Sequence, residues 1–170
     1  SGIATLTRKY VDKASPVTVL DTRKTTPGLR VFEKYAVGCG GGTNHRFGLY
    51  DAVMIKDNHI KSAGSISRAI EKVREGLGPQ TKIEIETQNL DEVQEALEKE
   101  VNVIMLDNMA IDMIRESVKL INGRAKVEIS GCVTLEKLDE ISRTGADFVS
   151  VGALTHSAPS VDISMNIITP

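Results

Sequence analysis

The sequence predicts an α/β protein of one domain, residues 1–170, built as an incomplete or open β/α barrel (TIM-like) of about six to seven parallel strands with outer helices. Three observations carry that expectation. Strand-like and helix-like periods alternate along the whole chain, which makes a parallel sheet covered by helices. Almost every strand-like run ends in a polar or glycine signature: Asp21-Thr22-Arg23, Lys56-Asp57, Glu86, Asp107-Asn108, Ser130-Gly131 and Gly152. In a barrel those carboxyl ends meet on one face, whereas a doubly wound sheet gathers only the ends near its switch point. Finally, 170 residues fall short of the roughly 200 or more of a full eight-fold barrel.

Taken in order, Gly2 to Lys13 carries Ile3, Leu6 and Tyr10 at helical spacing and reads as a helix with a packing partner expected upstream. Short β-branched runs follow at Val17 to Leu20, Ala52 to Ile55, Lys82 to Ile85, Val101 to Leu106, Lys126 to Ile129 and Phe148 to Val151. The clearest amphipathic segments between them are Ile66, Ala69, Ile70, Val73; Ile111, Ile114, Val118, Ile121; and Leu135, Leu138, Ile141. Ser65 and Thr134 suit N-caps, Thr26-Pro27 an N-cap followed by N1, and Gly123 and Gly145 helix ends. Val161 to Ile168 is a candidate further strand.

Apolar residues at 41% and charged residues at 26% are ordinary for a globular chain. A net charge of -2 argues against a nucleic-acid binder. No apolar stretch is long enough to span a membrane and no signal-peptide pattern opens the chain, so no membrane partner is expected. Two cysteines far apart, Cys39 and Cys132, point to a reduced, cytoplasmic protein, and neither has an evident histidine partner. The chain opens Ser1-Gly2 without methionine, as a fragment or a processed product would.

Cations converge where this topology places a site. Arg23, Lys24 and Lys56 each follow a strand-like run, and Arg46 belongs to the same rim. Like charges repel, so an anionic ligand is the economical reason to gather them. Arginine adds a planar fork suited to carboxylate or phosphate. The run Gly38 to Gly42, interrupted by Cys39, precedes Asn44-His45-Arg46 and reads as backbone passing close to a ligand. His45 reads as a ligand contact, His59 and His156 as locally hydrogen-bonded. Glu84 and Glu86 share the strand face opposite Ile83 and Ile85 and point into the barrel, as Asp107 does. Such carboxylates suit magnesium or sugar hydroxyls; serving as counter-ions to Lys24 and Lys56 is the other reading. Ser130-Gly131 and Gly152-Ala153 are either phosphate-binding loops or plain strand ends.

Thr22-Arg23-Lys24-Thr25, Asn44-His45-Arg46, Met54-Ile55-Lys56-Asp57-Asn58-His59, Ile85-Glu86, Met105-Leu106-Asp107-Asn108 and Ser130-Gly131 closely resemble the quinolinate phosphoribosyltransferases, in order and over essentially the whole chain. The resemblance implies a transferase that joins quinolinate to phosphoribosyl pyrophosphate with magnesium. Its products are nicotinate mononucleotide, pyrophosphate and carbon dioxide, in de novo NAD biosynthesis. It implies that Thr22, Arg23, His45, Arg46 and Lys56 hold quinolinate. Lys24, Glu86, Asp107, Ser130, Gly131, Gly152 and Ala153 would hold the phosphoribosyl donor, with Glu86 and Asp107 on magnesium and Lys56, Glu86 and Asp107 catalytic. It also implies a homo-oligomer in which an N-terminal sandwich domain, absent from this chain, closes a neighbour's site and donates an arginine. Cys132 departs from the family, which has a second glycine there. Two other readings stand beside it: a related pyrophosphorylase acting on another base, and a non-catalytic phosphosugar-binding fragment.

Overall fold

The computed structural model describes residues 2–168. Its elements in chain order are α1 (Gly2–Ala14), β1 (Thr18–Leu20), α2 (Arg30–Cys39), β2 (Val53–Ile55), α3 (Asp57–Ala63), α4 (Ile66–Leu77), β3 (Ile83–Thr87), α5 (Leu90–Glu98), β4 (Val103–Asp107), α6 (Ile111–Ile121), β5 (Lys126–Ser130), α7 (Leu138–Ile141), β6 (Phe148–Ser150) and α8 (Ala153–His156). The six strands form one parallel sheet in the order β1-β6-β5-β4-β3-β2. Each falls on one of the six β-branched runs.

Strict alternation along the strands gives the sheet two chemically different faces. Ile55, Ile83, Ile85, Ile104, Leu106 and Ile129 are buried in the apolar core with the helices. The registers Met54↔Glu84, Glu86↔Met105, Met105↔Glu128 and Leu20↔Ser150 put the polar residues together on the other face. That polar face is the inside of the barrel. The sheet curls without closing. Thr43 bridges Leu20 on the free edge of β1. Two residues later His45 reaches Glu84 on β3 and Glu128 on β5, and Arg46 Nη1 donates to Ala52 O at the start of β2 (3.2 Å). Side chains, not a ladder of backbone bonds, span the seam.

The helices divide by how they are anchored. Ser65 caps α4 by accepting from Arg68 N (3.2 Å), as its position predicted. Helix α2 begins at Arg30 rather than at Pro27, because Gly28 lies in the left-handed region (φ 79°) and interrupts the turn. Likewise α7 starts at Leu138, leaving Thr134 and Leu135 in the preceding turn. The partner expected upstream for α1 lies within the chain: α1 packs on α2, α7, β1 and α8, with Tyr10 and Ala14 buried. Val161 to Ile168 is not a strand; its apolar residues Val161, Ile163, Met165, Ile167 and Ile168 are exposed.

The glycine run also has a different cause from the one its sequence suggested. A Cβ on Gly40 would lie 2.6 Å from Ala4 O and 2.6 Å from Thr7 Cβ. On Gly42 it would meet Val37 Cγ1 at 2.8 Å and Thr7 Cγ2 at 2.9 Å. Gly40 and Gly42 therefore let α1 and α2 close over the loop that leads to His45, and their bare faces meet protein. Gly40→Ala should destabilise the chain by about 1–3 kcal/mol, since the backbone carbonyl it meets cannot rotate away. Urea unfolding measures this, and an unchanged midpoint would show that the packing yields.

A candidate anion-binding site at the carboxyl ends of the strands

The site is organised by a buried polar network where β1 ends. Asp21 points to the helix side, fully buried, and its Oδ1 accepts from Lys34 Nζ of α2 and from His45 N (2.8 Å). Its Oδ2 accepts from Asn44 Nδ2 (2.7 Å), which also donates to Lys34 O (2.8 Å). Lys34 Nζ donates in turn to His45 O (3.0 Å). A buried ion pair survives only when its remaining bonding capacity is filled, and here the His45 backbone and the Asn44 side chain fill it.

Arg30 fastens the neighbouring loops to each other. Its Nε donates to Thr25 Oγ1 (2.9 Å), Nη2 to Arg23 O (3.1 Å) and Nη1 to Phe47 O (3.1 Å). Asp51 completes the second loop by accepting from Phe47 N and from Gly48 N (2.8 Å). The loops bearing Arg23 and Arg46 are thus held in one piece.

Inside the barrel, His45 stands between two carboxylates. Its Nε2 lies 3.2 Å from Glu84 Oε2 and 3.5 Å from Glu128 Oε2, while Nδ1 accepts from Arg46 N (2.7 Å). Glu128, 2% exposed, also accepts from Ser150 Oγ of β6. Burial alone would lower the pKa of the ring, but its hydrogen bonds to Glu128 and Glu84, with their charges, prevail and push it up to about 10. Glu84 is raised as well, by burial and by the charge of Glu128, although its bond to His45 opposes this. The Arg46 amide, which needs a lone pair on Nδ1, works against the rise at His45 and keeps the ring's Nε2–H toward the carboxylates.

Above this cluster lies the cationic rim. Arg46 sits over the seam with Nη2 on Met54 Sδ (3.5 Å); its pKa is lowered by burial and by the nearby charge of Arg23, while Glu84, Asp51 and Glu86 act the other way. Arg23, Glu84 and Glu86 therefore lie near enough to Arg46 for their charges to act on it. Arg23 Nε is buried and has no acceptor within the chain. Lys56 Nζ is paired with Glu86 Oε1, the counter-ion arrangement that the sequence allowed for this carboxylate.

The remaining predicted residues fall at two other points of the same rim. Thr22 Oγ1 accepts from Lys24 N (3.0 Å), shaping the turn after β1. Lys24 O accepts from Thr155 Oγ1 (2.6 Å), and its Cδ comes within 3.3 Å of where a Gly152 Cβ would sit, so Lys24 runs over Gly152 and Ala153 at the start of α8. At the ends of β4 and β5, Asn108 N donates to Ser130 O (2.9 Å) and Asn108 Nδ2 to Asp107 Oδ2 (2.8 Å). A Cβ on Gly131 would lie 2.2 Å from Asn108 Oδ1, so packing against Asn108 alone requires glycine there.

Glu86 and Asp107, the pair expected on magnesium, are not part of a three-ligand cluster. Among the described residues, the grouping able to surround an ion is His45, Glu84 and Glu128. His59 Nδ1 accepts from Lys56 N (2.9 Å) and His156 Nδ1 lies 2.6 Å from Ser157 Oγ, the local roles expected of both. Cys39 and Cys132 are free and exposed. Sequence reasoning missed Lys34, Arg30, Glu128 and Ser150. The signal for Lys34 was present: α2 turns Glu33 and Lys34 inward and Phe32 and Tyr35 outward, the reverse of an ordinary amphipathic helix.

Residues 3–166 match the family model of the quinolinate phosphoribosyl transferase C-terminal domain. The chain belongs to that family. It is 53% identical over 173 residues to a Synechocystis protein named "Probable nicotinate-nucleotide pyrophosphorylase [carboxylating]", covering 99% of this chain and 59% of that protein. It is 49% identical over 187 residues to the chloroplastic nicotinate-nucleotide pyrophosphorylase (carboxylating) of Arabidopsis thaliana, covering 99% of this chain and 54% of the relative. The crystal structure of NadC from Streptococcus pyogenes superposes with a TM-score of 0.93 at 46% identity, over 99% of this chain and 60% of that one. The chain thus spans little more than half the length of these relatives.

A raised folded-state pKa implies stability that is fully present below the unfolded value and lost as pH climbs to the folded one. For His45 that window runs from 6.5 to about 10, and the raised Glu84 acts in the same sense. Stability to urea should therefore fall as pH rises through this window, by at most about 1.4 kcal/mol per pH unit for the extra proton. His45→Gln should flatten the slope, and a wild-type profile that is already flat would contradict the assignment.

Proposed function

We propose that this chain is the catalytic barrel of a quinolinate phosphoribosyltransferase. The reaction joins quinolinate to phosphoribosyl pyrophosphate and yields nicotinate mononucleotide, pyrophosphate and carbon dioxide, as a step of NAD biosynthesis. The observation that supports it best is a buried Arg23 donor left without an acceptor, close enough to Arg46 for its charge to lower the Arg46 pKa. Two planar forks held against their mutual repulsion suit two adjacent carboxylates. An orphaned buried donor costs about 1–3 kcal/mol until an acceptor arrives. On this reading Arg23, Arg46 and Lys56 hold the dianion, Thr22 shapes the turn that aims Arg23, and His45 anchors Arg46.

Lys24, with Gly152 and Ala153 beneath it, forms the donor's phosphate end, and Ser130-Gly131 lies further along the same rim. Positive charge grows on the ribose as the pyrophosphate leaves, and on this reading Glu86 and Asp107 are the carboxylates that stabilise it. Their hard oxygens in an open arrangement suit magnesium, which keeps its waters and takes one or two carboxylates with substrate phosphates. When bound, magnesium would neutralise the leaving pyrophosphate. Lys56, released from Glu86 as the dianion arrives, would add its charge beside the pyridine ring. Alkylation leaves that ring cationic, able to accept the electron pair of the departing 2-carboxylate, so no enzyme nucleophile is needed.

Two surface features complete the reading. Val31, Phe32, Tyr35, Leu49 and Tyr50 are exposed, apolar surface that supports a homo-oligomer. No helix among the described residues is long and apolar enough to cross a membrane, and two free exposed thiols are consistent with a reducing cytoplasm.

The test is release of carbon dioxide from carboxyl-labelled quinolinate. Release should require the phosphoribosyl donor and magnesium; donor-independent release, or none from the full-length protein, would refute the assignment. Calorimetry separates the ligands. Arg46→Ala should weaken quinolinate binding by about 2–5 kcal/mol and leave donor binding nearly unchanged, because a single charged fork is lost. Glu86→Gln and Asp107→Asn should keep the circular dichroism of the wild type and cut turnover. Full turnover in both amides at saturating magnesium and donor would leave these carboxylates a structural role.

A further inference from the structure

Arg46 is weakly held by its own side chain. Its guanidinium donates to a carbonyl, Ala52 O (3.2 Å), and to a thioether, Met54 Sδ (3.5 Å). Neither acceptor is charged, and a thioether is a poor one. What fixes the aim of this arginine is therefore its backbone, and the backbone amide of Arg46 donates to His45 Nδ1 (2.7 Å). The ring in turn is gripped from the barrel interior through Nε2. One grip comes from Glu84, on the same wall as Glu86; the other comes from Glu128, on the opposite side of β4.

Glu128 has no part in the binding scheme above, yet the chain buries it almost completely. Among the described residues His45 is its one ion-pair partner. Its second oxygen accepts from Ser150 Oγ, itself 5% exposed, so the carboxylate is locked with the other oxygen toward the ring. A carboxylate without a partner would be costly at this position, and an apolar side chain of similar size would fill the interior more cheaply. Burial of this charge therefore calls for a reason other than stability.

We propose that Glu128 is a positioning residue for the anion site: a relay from Ser150 through Glu128 and the His45 ring to the Arg46 amide sets the separation of Arg46 from Arg23 and so the fit to two adjacent carboxylates. The relay begins on β6, crosses β5 and ends at the seam. The groups facing the ring are Glu84 from β3 and Glu128 from β5, with Arg46 following it in the chain and Asp21 and Lys34 holding its backbone. Asp21 and Lys34 fix where the loop lies; Glu128 and Glu84 fix how the ring is turned.

This proposal rests on the quinolinate reading for its ligand, and the experiment keeps the two apart. Glu128→Gln retains the bond to Ser150 and a neutral acceptor for the ring; Glu128→Leu removes both. In the full chain, the dissociation constant for pyridine-2,3-dicarboxylate should rise about three-fold in the first and at least ten-fold in the second. The KM for phosphoribosyl pyrophosphate should stay within two-fold in both. Histidine-ring 1H–15N spectra, run alongside, should show a protected Nε2–H for His45 in the wild type and lose it in Glu128→Leu. A general loss of structure would weaken both ligands together and broaden all three histidines.

If Glu128→Leu does not fold, Glu128→Gln combined with Ser150→Ala gives the same readings. A folded variant with unchanged dicarboxylate affinity and an unchanged His45 ring signal overturns the proposal. If the wild type binds no dicarboxylate, the functional reading fails while the ring spectra still decide whether Glu128 positions His45.

Discussion

The structure depends on the buried pair of Asp21 and Lys34. A six-stranded parallel sheet that curls toward a barrel must keep its two edge strands facing each other without a ladder between them. Here the edge of β1 is continued only by the Thr43 bridge, and the residues that follow are the ones that carry the site. Asp21 accepts from three groups on two segments, and Lys34 ties α2 to the same loop. Opening this network would expose an unpaired buried charge, a loss on the order of 3–5 kcal/mol. The seam is therefore rigid where a ladder is missing, and the functional loop is rigid for the same reason.

Strand alternation explains how so few residues form both a core and a polar interior. In Ile83-Glu84-Ile85-Glu86 each isoleucine is buried with the helices and each glutamate turns inward. An eight-stranded barrel usually fills its interior with branched apolar side chains. This smaller, open one holds His45, Glu84, Glu128 and Ser150 there instead, bonded to one another. The interior is thus a foundation for the rim above it.

Much of this was legible in the sequence, and the exceptions have physical causes. The six strands were readable because β-branched runs with polar ends have few other uses, and the inward glutamates because a period of two admits only two faces. Helix α2 was harder to read, since its inward side carries Glu33 and Lys34 and its outward side Phe32 and Tyr35. Burial follows partners, and Asp21 lies 13 residues away in the chain. The glycine run misled because glycine reports a close approach without naming what approaches; at Gly40 and Gly42 it is Thr7. Val161 to Ile168 has the alternation of a strand, but no free edge of the described sheet receives it. In the site, Arg23 and Arg46 were visible as cations; the relay from Ser150 was not, because neither serine nor a lone strand glutamate carries a distinctive pattern.

Charge layering connects these observations. Arg23 and Arg46 repel each other, and each would turn toward solvent if it were free to do so. Glu84 and Glu86 beneath them offset part of that repulsion without neutralising the rim, because Glu84 is shared with His45 and Glu86 with Lys56. The raised proton affinity of His45 and Glu84 has the same effect: it makes the floor less negative and leaves the rim more attractive to an anion. A fully ionised floor would satisfy the arginines internally and compete with any ligand. A floor that keeps its proton holds the cations in place while leaving their forks for a dianion from outside.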